Sequence, residues 1–125
     1  MLKPTVSLLF LLLATLPVAA QVGGRQLHEF RTESHAFNQH DPFSNAYRAG
    51  HYNGYLAGLV DALQGRSVCF KECPCELDKL VGAHLDKHPD ALEQSAATWL
   101  VPLLEATYPC QRADNTAAGS GLLNR

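Results

Sequence analysis

Four cysteines constrain the fold of this 125-residue chain more than any other feature. Cys69, Cys73 and Cys75 lie close together, while Cys110 stands alone near the C-terminal end. If all four are oxidised, Cys110 pairs with one of the clustered cysteines and the other two pair with each other, so three pairings stay open. A bond between Cys73 and Cys75 would close a very small, strained ring, but the sequence does not exclude it. The bond of Cys110 closes a loop of 35 to 41 residues, worth about 4 kcal/mol in the chain-entropy estimate.

The first twenty residues indicate why disulfides are expected. Lys3 precedes an apolar stretch at residues 6–16, and small side chains at positions 18–20 precede Gln21. This layout is typical of a secretory signal peptide at residues 1–20, and the apolar stretch is too short to span a membrane. We therefore expect a periplasmic or secreted protein with no membrane segment after cleavage. Cysteines in such compartments are usually oxidised.

Length and charge limit the remaining chain to one domain without a nucleic-acid surface. Removal of Lys3 with the leader takes the formal net charge from −2 to −3, so no basic field favours nucleic acid. Residues 21–43 are polar and are predicted to form an N-terminal extension, at best loosely docked. Residues 44–110 are predicted to form a helical domain. Residues 111–125, rich in Ala, Gly, Ser and Asn, are predicted to be a disordered tail.

Helical spacing of apolar residues predicts an all-α bundle of three to four helices, stapled by disulfides. The first helix is expected to begin at Asp41-Pro42 and to end at Gly65. Its apolar stripe comprises Tyr52, Tyr55, Leu56, Leu59 and Leu63.

Glycines recur every four residues in this first helix, at positions 50, 54 and 58. Each costs up to about 1 kcal/mol of helix propensity relative to alanine. We expect the three glycines to form a flat ridge against which another helix packs closely, with a functional groove as the alternative.

Two further helical regions follow the cysteine cluster. The first is expected over residues 76–88 and ends before Pro89, because the residue before a proline is disfavoured in helical geometry. The second runs from Asp90 or Ser95 to Tyr108 and is predicted to carry Trp99 into the core. Because Pro102 lacks a backbone donor, we expect it to kink this region near Thr98 or to split it into two shorter pieces.

The elements and their order resemble a known family. The matching residues are the helix motif GYLAGLVDAL at positions 54–63, Val68-Cys69 in the loop, His88-Pro89, and Tyr108-Pro109-Cys110 at the end. Together they resemble the Rap/Tai immunity proteins of type VI secretion over roughly residues 46–110. Many members carry a cysteine where this chain has Tyr52, so the disulfide pattern of the family is not transferred here.

This resemblance implies both a fold and a function. The family consists of small periplasmic helical domains, related in fold to the Hde acid-stress chaperones, whose members bind and block a peptidoglycan amidase toxin. We therefore expect an exported immunity protein whose partner is a cognate amidase. It would be no enzyme and would need no cofactor or metal, and a homodimer stays open as an assembly. The alternative is a periplasmic acid-stress or general chaperone of the Hde type.

Two other chemistries compete with this prediction. Cys73, Cys75, His84 and His88 suggest zinc, but their spacing differs from that of a zinc finger. A cysteine–histidine hydrolase would require a free thiolate beside an oriented base, and closely spaced cysteines in an oxidising compartment favour disulfides instead.

Isolated polar side chains give weaker indications of function. Asp61 and Glu105 are predicted to be solvated carboxylates. The histidines at positions 28, 35, 40 and 51 are expected to be ordinary polar surface, with a response to acid pH as the alternative.

The loop that contains the clustered cysteines is the leading candidate for the partner-binding surface. Disulfides involving Cys69, Cys73, Cys75 and Cys110 would fix residues 66–76 against the C-terminal end, and a rigid loop loses less entropy on binding than a flexible one. At its centre Phe70, Lys71 and Glu72 have no evident place in a core, so they are predicted to contact the amidase. A purely structural crossover is the alternative.

Overall fold

The structure, a computed structural model, describes residues 21–111. The predicted signal peptide and nearly all of the predicted C-terminal tail lie outside the described residues. The described part of the chain folds as an all-α bundle, as predicted. Its elements are α1 (Gly24–Asn38), α2 (Ala46–Leu63), α3 (Pro74–Lys87), the short 3₁₀ helix η1 (Pro89–Glu93) and α4 (Ala96–Thr107).

Helix α1 occupies the segment for which the sequence predicts a loosely docked extension, so that prediction is wrong. Leu27 and Phe30 of α1 are buried in the common core. The backbone nitrogen of Gly24 donates to the carbonyl oxygen of Gln94 at 2.7 Å, which fixes the start of the helix to the segment before α4. Few residues of α1 are apolar, but Leu27 and Phe30 lie at helical spacing and form a narrow stripe that faces the core. The helical unit therefore begins at Gly24 rather than at residue 44.

The predicted helix start at Asp41-Pro42 is a turn between α1 and α2. The carboxylate of Asp41 accepts from the backbone nitrogen of Phe43 at 2.9 Å, an arrangement that competes with helix formation. Helix α2 begins only at Ala46. The side chain of Asn45 caps it by accepting from the backbone nitrogen of Arg48 at 3.0 Å.

Helix α2 buries one face and leaves the other open. Tyr52 and Leu56 of the predicted stripe are buried, and its other members are half-buried and pack against the core. Val60, which the predicted stripe does not include, is buried as well. The helix ends before Gly65, as predicted, and Gly65 adopts a φ of 74° that favours glycine.

The glycine ridge of α2 does not contact another helix, which corrects the prediction of close packing. Gly50, Gly54 and Gly58 are all exposed, and a Cβ added at any of them would meet nothing within 4 Å. Partner helices pack against the opposite side of α2. The propensity cost of these glycines is therefore not offset by a close approach within the described chain.

The C-terminal half contains α3, η1 and α4. Helix α3 ends before His88, whose backbone nitrogen donates to the carbonyl oxygen of His84 at 2.9 Å. Of the two starts that the sequence leaves open for the third helical region, Ser95 is the closer to α4, because a separate 3₁₀ helix covers Pro89–Glu93, and the region is not split at Pro102. Helix α4 runs through Pro102, because this residue and Thr98, whose carbonyl lacks a helical partner, are both exposed to solvent.

The core is formed by all four helices. Trp99 is 7 % exposed, which confirms its predicted place in the core. The largest fully buried side chains are Tyr52, Leu27, Leu100, Leu104, Val68 and Val81. No helix within residues 21–111 has the length and the apolar character required to cross a membrane.

The structure selects one of the three cysteine pairings. Cys69 pairs with Cys110 across a Cα–Cα distance of 4.7 Å, and Cys73 pairs with Cys75 across 5.3 Å. The first bond spans 41 residues and contributes about 4 kcal/mol in the chain-entropy estimate. The second closes the small ring that the sequence left open.

Candidate binding surface

The loop between α2 and α3, residues 64–73, is attached to the C-terminal segment at its base. Val68 is fully buried, and the backbone nitrogen of Cys69 donates to the carbonyl oxygen of Tyr108 at 2.8 Å. The Cys69–Cys110 disulfide lies directly beside this hydrogen bond. The disulfide and the hydrogen bond both hold Cys69 against the C-terminal segment, so the base of the loop is attached there.

The three residues predicted to contact a partner occupy two different environments. Phe70 is half-buried, and its ring packs edge-on against Tyr108 at a centroid distance of 4.9 Å. Its backbone nitrogen and carbonyl both bond to the side-chain amide of Gln64, at 3.1 and 3.2 Å. Phe70 therefore has a packing role, contrary to the expectation that it has no place in the core. Lys71 and Glu72 are exposed at the tip of the loop.

A groove of about 360 Å³ opens beside this loop, between α2 and α3. Its lining residues from α2 are Tyr52, Asn53, Leu56, Ala57, Val60 and Asp61, and the loop and α3 contribute Phe70, Pro74, Leu77 and Asp78. The lining is mostly apolar, with carboxyl groups from both helices. A groove of this size accommodates one or two side chains of a partner.

Asp78 is the point at which three helices are joined through polar contacts. Its carboxylate accepts from the hydroxyl of Tyr52 on α2 at 2.7 Å and from Nε of Arg31 on α1 at 2.8 Å. Nε2 of His35, also on α1, lies 2.8 Å from the second carboxylate oxygen. We call Asp78, Tyr52, Arg31 and His35 the Asp78 cluster.

Electrostatics in the Asp78 cluster favour the charged carboxylate. Burial alone raises the pKa of Asp78, but hydrogen bonds from Tyr52, Arg31 and His35 outweigh burial and hold this pKa below its ordinary value. Burial and the Asp78 carboxylate raise the pKa of Tyr52, which keeps its hydroxyl protonated as a donor. The cluster is therefore a stable link between helices rather than a pair poised for proton transfer.

Space for this cluster depends on Gly82, one turn after Asp78 on α3. A Cβ at Gly82 would lie 2.5 Å from Nη2 of Arg31. Glycine at this position allows the guanidinium to cross α3 closely and to reach the carboxylate.

His84 and His88 form a stack with the core tryptophan. The ring of His84 lies parallel to Trp99 at a centroid distance of 4.8 Å, and His88 lies 4.5 Å from His84. Burial, together with the charge of His88, lowers the pKa of His84, although Asp90 opposes this shift. The neutral imidazole is therefore favoured against the indole.

The four residues considered for zinc are not brought together. His84 lies nine positions after Cys75 along α3, a rise of about 14 Å at 1.5 Å per residue. Cys73, Cys75 and Glu76 lie close enough to share an ion, but the two sulfurs are bonded to each other. Since both of the other cysteines are also paired, no cysteine within residues 21–111 carries the thiol that a cysteine hydrolase requires.

Exposed aromatic residues mark a second face near the α1–α2 turn. Phe43 in the turn is 92 % exposed, Tyr47 at the start of α2 is 75 % exposed, and Phe37 at the end of α1 is 50 % exposed. A shallow depression of about 480 Å³ adjoins Tyr47 and the glycine ridge of α2. Single exposed aromatics are ordinary on protein surfaces, so these three residues assign no function by themselves.

The sequence predictions missed the Asp78 cluster and the histidine–tryptophan stack. Arg31 and His35 are four residues apart, on one face of a helix that follows Leu27 and Phe30. This spacing is the signal in the sequence for α1 and its polar contacts.

Comparison with known proteins agrees with the fold and with the sequence resemblance. The model of the family described as Rap1a immunity proteins matches residues 24–110, which include every helix of the structure. No curated protein and no solved structure matches the chain significantly. Since the family model covers well over half of the sequence and begins at the first residue of α1, the chain belongs to the Rap1a immunity protein family.

Proposed function

We propose that this protein is an exported immunity protein that binds and inhibits a peptidoglycan amidase effector of type VI secretion. The match of the Rap1a immunity family to residues 24–110 carries the proposal, because immunity proteins protect by binding an effector. The protein acts as a binding partner and not as an enzyme. Its paired cysteines support this, since an oxidised sulfur cannot act as a nucleophile.

Export is part of the proposal. An enzyme that cleaves peptidoglycan acts outside the cytoplasm, so its inhibitor has to be present there. The leader-like sequence at residues 1–20 and the two disulfides both support a periplasmic location.

We place the effector-binding surface at the tip of the α2–α3 loop, where Lys71 and Glu72 are exposed. The loop is fixed by the Cys69–Cys110 disulfide and by the contact between Phe70 and Tyr108. A fixed loop enters a cleft with a smaller loss of conformational entropy than a mobile one. In this arrangement Phe70 supports the loop, while its two charged neighbours contact the effector.

The test exchanges the two charges at the tip. Lys71→Glu combined with Glu72→Lys keeps the net charge and leaves Phe70 in place. Asp86→Lys combined with Lys87→Asp is the matched control, since it exchanges an adjacent exposed pair at the far end of α3. We expect the loop variant to lose inhibition of the hydrolase encoded beside this protein, measured by muropeptide release, and the control to retain it. Full inhibition by the loop variant would exclude the tip as the binding surface.

A chaperone of the Hde type remains the second candidate and makes a different prediction. A chaperone would suppress aggregation of an acid-unfolded client in the absence of any hydrolase, whereas an immunity protein acts only on its effector. Light scattering of a client protein at acid pH, with and without this protein, distinguishes the two. Suppression of aggregation without inhibition of a neighbouring hydrolase would support the chaperone.

A further inference from the structure

The groove between α2 and α3 has a chemical character that the loop tip lacks. Its floor is formed by the apolar side chains of Leu56, Val60 and Leu77, and Phe70 closes the end beside the loop. Asn53 and Ala57 border it on the exposed side of α2. The groove therefore combines buried apolar side chains with an exposed border on α2.

The charged side chains that line the groove are all acidic. Its lining contains two carboxylates, Asp61 and Asp78, and no basic side chain is among the lining residues of the described chain. Asp78 is already bonded to Arg31 from the side of α1. Asp61 is exposed, and within residues 21–111 the structure gives it neither a hydrogen bond nor an ion pair. Its charge is therefore available to an incoming group.

We infer that this groove binds an arginine or lysine side chain presented by the effector. Such a side chain combines the two properties of the groove, because its methylene stem covers apolar surface while its cation stays at the rim. The stem lies against Leu56, Val60 and Leu77, and the cation pairs with Asp61. The inference rests on the proposed function for the identity of the partner, but not for the chemistry of the groove.

Arginine fits this groove better than lysine. Its planar guanidinium forms two parallel hydrogen bonds to a carboxylate and stacks on aromatic rings, which Asp61 and Phe70 respectively provide. Arginine is also enriched among the residues that dominate binding energy at protein interfaces. The groove adjoins the loop tip through Phe70, so one effector can contact both surfaces at the same time.

The first experiment requires no effector and so separates this inference from the proposed function. The exported full chain, labelled with ¹⁵N, is titrated with the N-acetyl methylamides of arginine, norleucine and glutamate, and amide shifts are recorded by NMR. We expect shifts confined to the groove residues, with affinity for the arginine probe at least about tenfold above that for the glutamate probe. Asp61→Asn should weaken arginine binding about two- to fivefold, as expected for a partly solvated ion pair.

A second pair of variants tests the groove itself. Ala57→Trp fills the groove from an exposed position, and Ala62→Trp places the same side chain at an exposed position of α2 outside the lining. Circular dichroism confirms that each variant is folded; if Ala57→Trp is not, Asn53→Leu replaces it. The groove variant should abolish the arginine-induced shifts, and the control should retain them.

Three outcomes would overturn the inference. Equal binding of norleucine and arginine would show that charge plays no part. Absence of shifts at the groove with the arginine probe would show that the groove does not bind such side chains. Shifts of the same residues on dilution without any probe would show that a second copy of the chain occupies the groove. If the arginine probe binds but no neighbouring hydrolase is inhibited, the proposed function fails while the chemistry of the groove stands.

Discussion

Tyr52 on α2 donates its hydroxyl hydrogen to the carboxylate of Asp78 on α3 across 2.7 Å. The two residues line the groove between these helices, so the hydrogen bond connects its walls. Arg31 reaches the same carboxylate from α1. One acidic side chain therefore fixes the relative positions of three helices and the shape of the candidate binding surface.

Removal of the charge at Asp78 should destabilise the fold. In Asp78→Asn the half-buried guanidinium of Arg31 loses its partner, and the expected cost is about 1–3 kcal/mol of unfolding free energy. Asp86→Asn, an exposed change on the same helix, should be close to neutral. Urea unfolding followed by fluorescence of Trp99, the single tryptophan, measures both variants. Equal stabilities would show that the Asp78 cluster contributes nothing.

The same carboxylate predicts a loss of stability in acid. Since the folded state holds the pKa of Asp78 below the ordinary value of 3.8, its contribution is present above pH 3.8 and is lost as the pH falls through the lower, folded-state pKa. The stability difference between wild type and Asp78→Asn should therefore shrink in this acid range. A difference that stays constant down to the lowest pH at which both proteins fold would contradict the assignment.

The lowered pKa of His84 predicts that stability also depends on pH in a second, less acidic range. Its pKa is lowered in the folded state by burial against Trp99 and by His88, so folding favours the neutral ring. Its contribution is complete above the ordinary pKa of 6.5 and falls as the pH drops from 6.5 to the folded-state pKa. His84→Phe keeps a ring against Trp99 and should remove this part of the pH dependence. Thermal unfolding at several pH values between about 5 and 7.5 measures the change across the range in which histidine titrates.

A substitution at Gly24 tests whether α1 packs against the segment before α4. A Cβ at this position would overlap the carbonyl oxygen of Ala91, whereas a Cβ at Gly23 would meet nothing within 4 Å. Gly24→Ala should therefore cost about 1–3 kcal/mol through forced displacement of backbone. Gly23→Ala should change the unfolding free energy little. Similar melting temperatures for the two variants would show that α1 is not packed as the structure describes.

The open glycine face of α2 makes a prediction of the opposite sign. Gly54→Ala and Gly58→Ala should each raise stability by about 0.5–1 kcal/mol, because the methyl group meets no neighbour and alanine favours the helix. Gly65→Ala is the control and should destabilise, since Gly65 has a φ of 74°. Destabilisation by Gly54→Ala would contradict the open glycine face and would support the close helix packing that the sequence predicts. Differential scanning calorimetry gives all three values.

Helix periodicity predicts the later part of this fold well. It places α3 within two residues of its observed start and places Trp99 in the core. It fails for α1 because the stripe of Leu27 and Phe30 is narrow and the surrounding residues are polar, so composition suggested an extension. It fails for the glycine ridge because spacing along one helix does not reveal which face the other helices cover.

The candidate surface follows from the sequence only in part. Exposed Lys71 and Glu72 can be predicted from their place in a cysteine-rich loop. The groove beside them could not be predicted, because it depends on the separation of α2 and α3, which the contacts of Asp78 help to set. Phe70 and Asp61 line the same groove because of how the helices and the loop pack, which the local sequence pattern does not reveal.

The most direct test of the central claim is a stoichiometric titration. Each candidate peptidoglycan hydrolase encoded beside this protein is purified and incubated with increasing amounts of the oxidised, mature protein, and cleavage of cross-bridged muropeptides is followed by chromatography. We predict that one hydrolase, an amidase, loses its activity in proportion to the added protein and is fully inhibited near equal molar amounts. Undiminished cleavage by every such hydrolase at a large excess of the protein, with no complex on size-exclusion chromatography, would contradict the immunity function.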